Sequence, residues 1–267
     1  MLKIRNHILI VFLLFIASSC NEYNRLLKST DLDKKYEMAI KYYEKEDYVK
    51  AITLFEELVS VYKGTNKAES IYFYYAYTNY NLGDYDLASF HFRTFAKTYP
   101  NSAHAEECAY MSAYCKYINS PSYSLDQTDT KSAIKEFQSF INQYPNSTRL
   151  AECNELVDKL RAKLERKSYE LAKQYYYIGD YKSAIFAFHN TIKDFPETKY
   201  REELEFLIVK SNYLLAENSI DSKKAERVKV TIESYFKFVD SFPKSSYLRD
   251  VESIYDDVLK MKEKLKI

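Results

Sequence analysis

Cysteines and histidines are the residues of this 267-residue chain with the chemistry to bind a metal ion or attack a substrate, and there are four of each. His104 and Cys108 lie four positions apart, on one face of a helix, and Cys115 follows two turns later. Zinc takes four ligands, and with Cys115 two turns away a third and a fourth ligand are missing. Cys108 and Cys115 would lie about 10 Å apart along a helix, beyond the roughly 7 Å that a disulfide allows between Cα atoms. We therefore predict that Cys108, Cys115 and Cys153 are unbridged, buried apolar thiols, with a metal site as the less favoured alternative.

The acidic residues and the other histidines give little support for catalysis. The pairs Glu106-Glu107 and Glu202-Glu203 are adjacent in sequence, so on a helix their side chains point about 100° apart and need not converge on one substrate. We interpret them as solvated charges in first helical turns. His91 has no nearby serine or cysteine in an arrangement typical of a nucleophile. The sequence predicts no enzymatic activity, no catalytic residues, no metal and no cofactor.

The remaining cysteine, Cys20, follows a segment typical of a bacterial export signal. Two basic residues precede 8–17, an apolar run of ten residues that is too short for a membrane-spanning helix of roughly 20. Small residues then lead into Cys20, which resembles the lipobox of bacterial lipoproteins, although Ala17 stands where leucine is commonest. We predict a signal peptide over 1–19 and a Cys20 that carries fatty acyl chains such as palmitate, enough for stable membrane attachment. An ordinary secretory signal that leaves Cys20 as a free thiol is the alternative.

Composition favours a helical chain with a real core. The sequence is 46% apolar and 29% charged, with 28 Tyr and 16 Phe but only 3 Gly, 5 Pro and no Trp. Low glycine and proline with abundant helix formers indicate helices. The glycines are isolated, which excludes a glycine-rich phosphate-binding loop. A formal charge of +1 gives no general field to attract nucleic acid.

A repeated spacing organises the chain: an alanine, a large apolar residue four positions later and a proline twelve positions later. Full copies are Ala88, Phe92 and Pro100; Ala133, Phe137 and Pro145; and Ala184, Phe188 and Pro196; partial copies begin at Ala51 and Thr231. In three copies a second alanine stands twelve residues upstream (Ala39, Ala76, Ala172), and an Asp-Tyr pair lies between. This order resembles the tetratricopeptide repeat, in which small residues let two helices approach closely and the proline ends the second helix. We predict an all-α tetratricopeptide-repeat solenoid of about five helix pairs with a C-terminal capping helix.

The spacing also predicts the boundaries of the segments. They are a tether at 20–31, repeats 1 to 3 at 32–145 (32–64, 67–100 and 103–145), a joining helix at 146–178, repeats 4 and 5 at 165–243 (165–196 and 203–243) and a closing helix at 246–265. The third repeat is interrupted by a polar stretch over 118–129, which we expect to be an exposed loop. Helix N-caps are predicted at the hydroxyl residues after the prolines: Ser102, Ser147, Thr198 and Ser245.

The first helix of each of repeats 1 to 3 carries aromatic residues at regular spacing. In such a stack the first helices line the concave face, and the positions three before, one after and four after the small residue point into it. Eight of these nine residues are aromatic, and the ninth is Ile40. We call the eight the tyrosine stripe: Tyr36, Tyr43, Phe73, Tyr77, Tyr80, Tyr110, Tyr114 and Tyr117. We predict that they line a peptide-binding groove, because tyrosine suits an apolar surface that keeps a hydroxyl wet; burial in the core is the alternative.

Three further segments refine the resemblance: 24–30 (NRLLKST), 99–102 (YPNS) and 160–176 (LRAKLERKSYELAKQYY). With the lipobox, the five repeats and the interrupted third repeat, the mature chain resembles the BamD family, lipoproteins of the outer-membrane β-barrel assembly machinery. The resemblance implies a protein held by lipid on Cys20 at the periplasmic face of the outer membrane. It implies two partners, a BamA-type barrel protein on the C-terminal repeats and unfolded outer-membrane protein precursors on the N-terminal repeats, and no nucleic acid.

Two other functions fit the repeat. A generic periplasmic tetratricopeptide lipoprotein adaptor, for example in cell-envelope or peptidoglycan assembly, is the main alternative. A surface glycan-binding lipoprotein of the starch-uptake type is less favoured, because such chains are much longer and this one lacks tryptophan for sugar stacking.

Overall fold

A computed structural model of the protein describes residues 22–266, and the regular secondary structure in that range is entirely helical. Cys20 and the predicted signal peptide lie outside the described residues. A short helix, α1, covers 22–27. It is followed by α2 (Leu32–Glu44), α3 (Tyr48–Val61), α4 (Ala68–Asn81), α5 (Tyr85–Thr98), α6 (Ala105–Asn119), α7 (Thr128–Gln143), α8 (Leu150–Tyr177), α9 (Tyr181–Asp194), α10 (Arg201–Glu217), α11 (Asp221–Ser241) and α12 (Leu248–Leu265).

Helices α2 to α11 form five antiparallel pairs, and α12 follows as the closing helix. The predicted all-α fold of five helix pairs and a capping helix is confirmed. The alanines at the predicted packing positions are completely buried, and so are the phenylalanines one turn later: Ala51 and Phe55, Ala88 and Phe92, Ala133 and Phe137, Ala184 and Phe188. Small residues on both helices of a pair therefore allow close approach of the axes, and the aromatic ring fills the space beside them.

Within three of the pairs, an aspartate begins the second helix. Asp47, Asp84 and Asp180 each accept a hydrogen bond from the backbone N–H three residues later, at 3.4, 3.1 and 3.1 Å. Each carboxylate thus satisfies one of the free N–H groups at the start of a helix. The Asp-Tyr pairs of the sequence are therefore helix starts.

Between the pairs, the predicted N-caps are two residues too early, because His104, Tyr200 and Tyr247 are the N-cap residues of α6, α10 and α12. The helices begin at Ala105, Leu150, Arg201 and Leu248, each three residues after the hydroxyl residue. The hydroxyl instead accepts from the backbone N–H two residues later, as in His104 N–H to Ser102 Oγ at 3.0 Å and Tyr200 N–H to Thr198 Oγ1 at 3.2 Å. Ser and Thr therefore stabilise a separate turn before each helix.

The chain divides into two compact units. Unit 1 runs up to Pro121 and resumes at Gln127–Val157; unit 2 comprises Ser122–Asp126 and the chain from Asp158 onward. Helix α8 begins in the first and ends in the second. In the predicted interruption, 118–119 and 128–129 are helical and 120–127 is the loop, with an exposed tip at 124–126. The tip belongs to unit 2, where Lys167 Nζ donates to the carbonyl of Leu125 at 2.5 Å.

Helix α1 lies within the segment that the sequence analysis assigned to a tether. Leu26 is 6% exposed and packs with Ala51, Leu54 and other core residues of the first pair. The buried ammonium of Lys35 donates to the carbonyl of Leu27 at 3.0 Å and to Glu57 at 2.7 Å. This part of the predicted tether is therefore folded against the first repeat.

Candidate functional site

The tyrosine stripe lies on α2, α4 and α6 of unit 1, the first helices of its pairs. Seven of its eight residues are half-buried, with part of each ring accessible, and Tyr110 is buried at 4% exposure. Half-burial means that one part of each ring packs against the protein while the other part stays accessible to solvent. Tyr110 is the exception to the predicted groove.

In the second pair, the stripe is fixed by aromatic packing and one hydrogen bond. Phe73 and Tyr77 have ring centroids 4.9 Å apart, and Tyr77 packs edge-on against the buried Phe92 at 4.8 Å. The Tyr77 hydroxyl donates to the carboxylate of Glu107. Burial, and then this hydrogen bond, raise the pKa of Tyr77 far above its usual value. Tyr77 is therefore a neutral, immobilised ring at any physiological pH.

Three stripe residues on α4 and α6 keep their hydroxyls free. Within residues 22–266, the hydroxyls of Tyr80, Tyr114 and Tyr117 have no hydrogen-bond partner in the protein. The rings of Tyr114 and Tyr117 stack at 5.9 Å with an interplanar angle of 24°, and burial followed by the nearby Tyr114 raises the pKa of Tyr80. This cluster offers half-covered rings and unused hydroxyls, the combination expected for contact with another molecule.

Tyr110 is covered by its own fold. Its ring lies 5.9 Å from Phe140 and carries the guanidinium of Arg149 at 4.2 Å, while its hydroxyl donates to Glu152 at 2.8 Å. Tyr110 lies on α6 with Tyr114 and Tyr117, but the end of α7 and the start of α8 cover it. Tyr110 supports Tyr114, against which it stacks at 5.6 Å.

The two stripe residues of the first pair contact the first helix of the second pair. The hydroxyl of Tyr36 lies 3.1 Å from Ser70 Oγ, and Asn81 Nδ2 donates to the hydroxyl of Tyr43 at 3.5 Å. Tyr43 also packs edge-on against Tyr74 at 5.0 Å. The two ends of this part of the stripe are thus tied to α4.

Unit 2 fills the equivalent positions differently. Lys173 Nζ donates to the Tyr169 hydroxyl at 2.7 Å and to Glu203 at 2.9 Å, and Tyr169 donates to the other oxygen of Glu203 at 2.7 Å. Burial comes first among the causes that raise the pKa of Tyr169, to about 12. An ion pair with a buried tyrosine thus replaces the open aromatic cluster.

Two carboxylates bind these tyrosines in contacts that the sequence does not predict. Glu107 and Glu203 lie in the first turns of α6 and α10, where solvated charges were expected. Both instead accept hydrogen bonds from tyrosines of the preceding pair. Their position in the sequence is equally typical of a solvated first-turn acid, so only the packing of one repeat on the next reveals the contact.

Within residues 22–266, the cysteines have no feature of a reactive or metal-binding site. Cys108, Cys115 and Cys153 are buried and unbridged, as predicted. Burial raises the pKa of Cys115 to about 12 and that of Cys153 to about 11. Such thiols remain protonated and poorly nucleophilic. Among residues 22–266, no group of three or more His, Cys, Asp or Glu side chains is arranged to hold a metal ion.

The helix pairs, with buried alanines where the helix axes approach, define a tetratricopeptide-like repeat protein, a class whose stacked repeats form extended concave surfaces. The profile of the YfiO family, described as outer membrane lipoprotein, matches residues 29–228. The chain belongs to this family. YfiO is another name for BamD, so this is the family that the sequence resembles. None of the helices in the described range is both long and apolar enough to cross a bilayer.

Solved structures of the same general kind are similar to this chain. The TPR2AB domain of yeast Sti1, in complex with pHSP90, is 14% identical, with a TM-score of 0.38 over 85% of this chain and 98% of that one. A TPR repeats protein from Bacteroides fragilis is 13% identical, with a TM-score of 0.41 over 87% of this chain and all of the other. TM-scores this low carry no information about binding. No curated protein gives a significant sequence match.

Proposed function

We propose that this protein is a non-enzymatic assembly factor of the outer membrane, which binds unfolded β-barrel precursors on the tyrosine stripe of unit 1. The repeats of unit 2 dock on a BamA-type barrel protein, and lipid on Cys20 holds the chain at the periplasmic face of the membrane. Membership of the outer-membrane lipoprotein family supports the location. The observation that carries the binding role is the cluster of Tyr80, Tyr114 and Tyr117, half-buried with free hydroxyls.

The chemistry of the cluster suits an extended, apolar peptide. Tyrosine offers a large ring with few rotatable bonds, so its contacts cost little conformational entropy. Its hydroxyl can bond to the main chain of a peptide whose own hydrogen bonds are unsatisfied before folding. Barrel precursors of the kind the family resemblance implies end in an aromatic residue, which would pack edge-on against these rings.

A peptide titration tests the binding role. A fluorescein-labelled peptide from the C-terminus of an outer-membrane barrel protein is titrated against the wild type and the Tyr77→Ala, Tyr114→Ala double variant by fluorescence anisotropy. We expect the variant to bind more weakly by roughly 1 to 3 kcal/mol, the range of interface hot spots. Tyr114→Phe, which retains the ring, should lose only the part that depends on the hydroxyl.

The control for this titration is Tyr62→Ala, a half-buried tyrosine at the end of α3 and outside the stripe. Circular dichroism reports whether each variant is folded. Equal affinities for the wild type and the folded double variant would show that the stripe does not bind the peptide. A loss as large in Tyr62→Ala would show that the effect is not local.

Exposed apolar side chains support docking through unit 2. Ile178 and Ile220, which lie in the turns of the fourth and fifth pairs, are 71% and 68% exposed. Burial of such exposed aliphatic side chains against a partner would remove apolar surface from water and so stabilise a complex. Co-purification from solubilised outer membranes should bring down a BamA-type barrel with the wild type and less of it with Ile178→Ser, Ile220→Ser. Recovery of other envelope proteins without the barrel would favour the generic adaptor.

A further inference from the structure

A second groove of unit 1 lies apart from the tyrosine stripe, between the second helices of two pairs. Its walls are α5 and α7, with Arg93 and Lys97 on the first, Lys135 and Ser139 on the second, and a volume of about 520 Å³. Ligand-binding pockets in proteins typically have volumes of roughly 300 to 1,000 Å³. The groove is therefore large enough for several residues of an extended peptide.

Small side chains create this space. Ala96 of α5 and Ala109 of α6 line the groove, and Phe140 and Pro100 add further apolar surface. Elsewhere in the unit, large side chains fill the gaps between helices, as Phe95 and Phe137 do without exposure to solvent. The two alanines leave an apolar floor where larger side chains would fill the gap between the helices, and another chain can cover it.

The walls of the groove carry a net positive charge. Three cations and the single anion Glu136 line it, which leaves two positive charges in excess. Arg93 pairs with Glu136 at 3.1 Å. Lys97 and Lys135 are exposed, and within residues 22–266 neither forms an ion pair. One lysine thus lies on each wall of the groove, and no carboxylate of the described residues neutralises either charge.

We propose that this groove binds an extended segment of another polypeptide that alternates apolar and acidic side chains. The apolar side chains cover the alanine floor, and two carboxylates match the two unpaired lysines. The groove lies along the last turns of α5 and α7, which end at Thr98 and Gln143. The last carbonyls of a helix have no partner within the helix, so they can accept the N–H groups that an extended peptide brings.

The test uses the full chain in detergent and a terminally blocked, fluorescein-labelled hexapeptide that alternates aspartate and leucine. We expect saturable binding that weakens with salt, and at least tenfold weaker binding by Lys97→Gln, Lys135→Gln. The matched control is Lys45→Gln, Lys63→Gln, which removes two exposed lysines of the same unit outside the groove. Ala109→Leu, which fills the floor and keeps every charge, should weaken binding similarly; if it does not fold, the lysine variants decide.

Three outcomes would overturn the proposal. The first is equal binding of a peptide in which asparagine replaces aspartate, and the second is unchanged affinity in Lys97→Gln, Lys135→Gln. The third is binding of inorganic phosphate, or of vesicles containing phosphatidylglycerol, that requires the same two lysines and excludes the peptide. Because Lys97 and Lys135 lie outside the tyrosine stripe, failure of the lysine variants here leaves the barrel-precursor titration unaffected, and the reverse also holds.

Discussion

Glu46 and Gly83 occupy the same left-handed backbone conformation at equivalent turns of consecutive helix pairs. Their φ angles are 60° and 81°, and each directly precedes the aspartate that caps the next helix. Gly179 repeats the arrangement in the fourth pair with φ 81°. The turn thus demands a conformation that is easy for glycine and strained for glutamate.

Replacing Glu46 by glycine should stabilise the protein. The left-handed conformation costs a residue with a side chain about 1–2 kcal/mol, and glycine loses roughly 0.5–1 kcal/mol more backbone freedom on folding. We expect a net gain of about 0.5–1 kcal/mol in the free energy of unfolding, measured by urea titration. Gly83→Ala should be destabilised. A lower midpoint for Glu46→Gly than for wild type would contradict the assignment of strain to this turn.

The ion pair of Lys35 with Glu57 should respond unequally to loss of its two members. The side chain of Lys35 is 3% exposed and that of Glu57 is 41% exposed. Glu57→Ala leaves a buried ammonium with only the Leu27 carbonyl, so we expect a loss of about 2–3 kcal/mol. Lys35→Met leaves a carboxylate that water can reach and should cost about 1 kcal/mol.

Thermal unfolding of both variants measures this difference. Asp33→Asn, which removes an exposed carboxylate from a surface pair with Lys67, serves as the control and should have little effect. If Lys35→Met were the more damaging of the two changes, the buried charge would not be the source of the cost. Lys35→Met should also loosen α1, because the Leu27 carbonyl loses its donor.

The helix pairs were predictable because close packing imposes residue types at fixed spacing. An alanine such as Ala88 is required where two helix axes approach, and the requirement is local to one pair. Contacts from one repeat to the next leave no such local trace. Neither the covering of Tyr110 by Arg149 and Glu152 nor the bond of Tyr77 to Glu107 follows from spacing, since both depend on how the next pair is placed.

The sequence also did not predict that α1 folds against the first repeat. Its single buried leucine, Leu26, makes no periodic pattern, and its packing depends on a lysine in the following helix. Lysine is seldom buried, so Lys35 gives no sign of its role in the sequence. A short amphipathic segment is recognised only when the surface that receives it is known.

Lipidation of Cys20 gives a prediction outside the described residues. Because Leu26 is buried against the first repeat, it is not available to insert into a membrane. We therefore expect the acyl chains on Cys20 to be the membrane anchor, and Cys20→Ala to be released into the periplasm in folded form. Metabolic labelling with a fatty acid checks this directly. Equal incorporation of label into wild type and Cys20→Ala would place the lipid elsewhere.

Acid should weaken unit 1 through His91. This histidine is 9% exposed, its Nδ1 lies 2.9 Å from the Tyr72 hydroxyl, and its ring packs against Tyr75 at 4.5 Å. Within the described residues, Nε2 has no hydrogen-bond partner. Burial lowers the pKa of His91 below its usual 6.5, and the charge of Asp84 opposes this only weakly. The folded state therefore favours the neutral ring.

The unfolded chain takes up a proton at His91 more readily than the folded chain does. The contribution of His91 to stability is therefore complete above pH 6.5 and is lost as the pH falls below that value toward the lowered pKa. His91→Gln does not titrate and retains a partner for Tyr72, so its unfolding free energy should fall less than that of wild type between about pH 7.5 and about pH 5. Urea titrations at the two pH values measure both changes, and equal losses in the two proteins would show that His91 is not the group responsible.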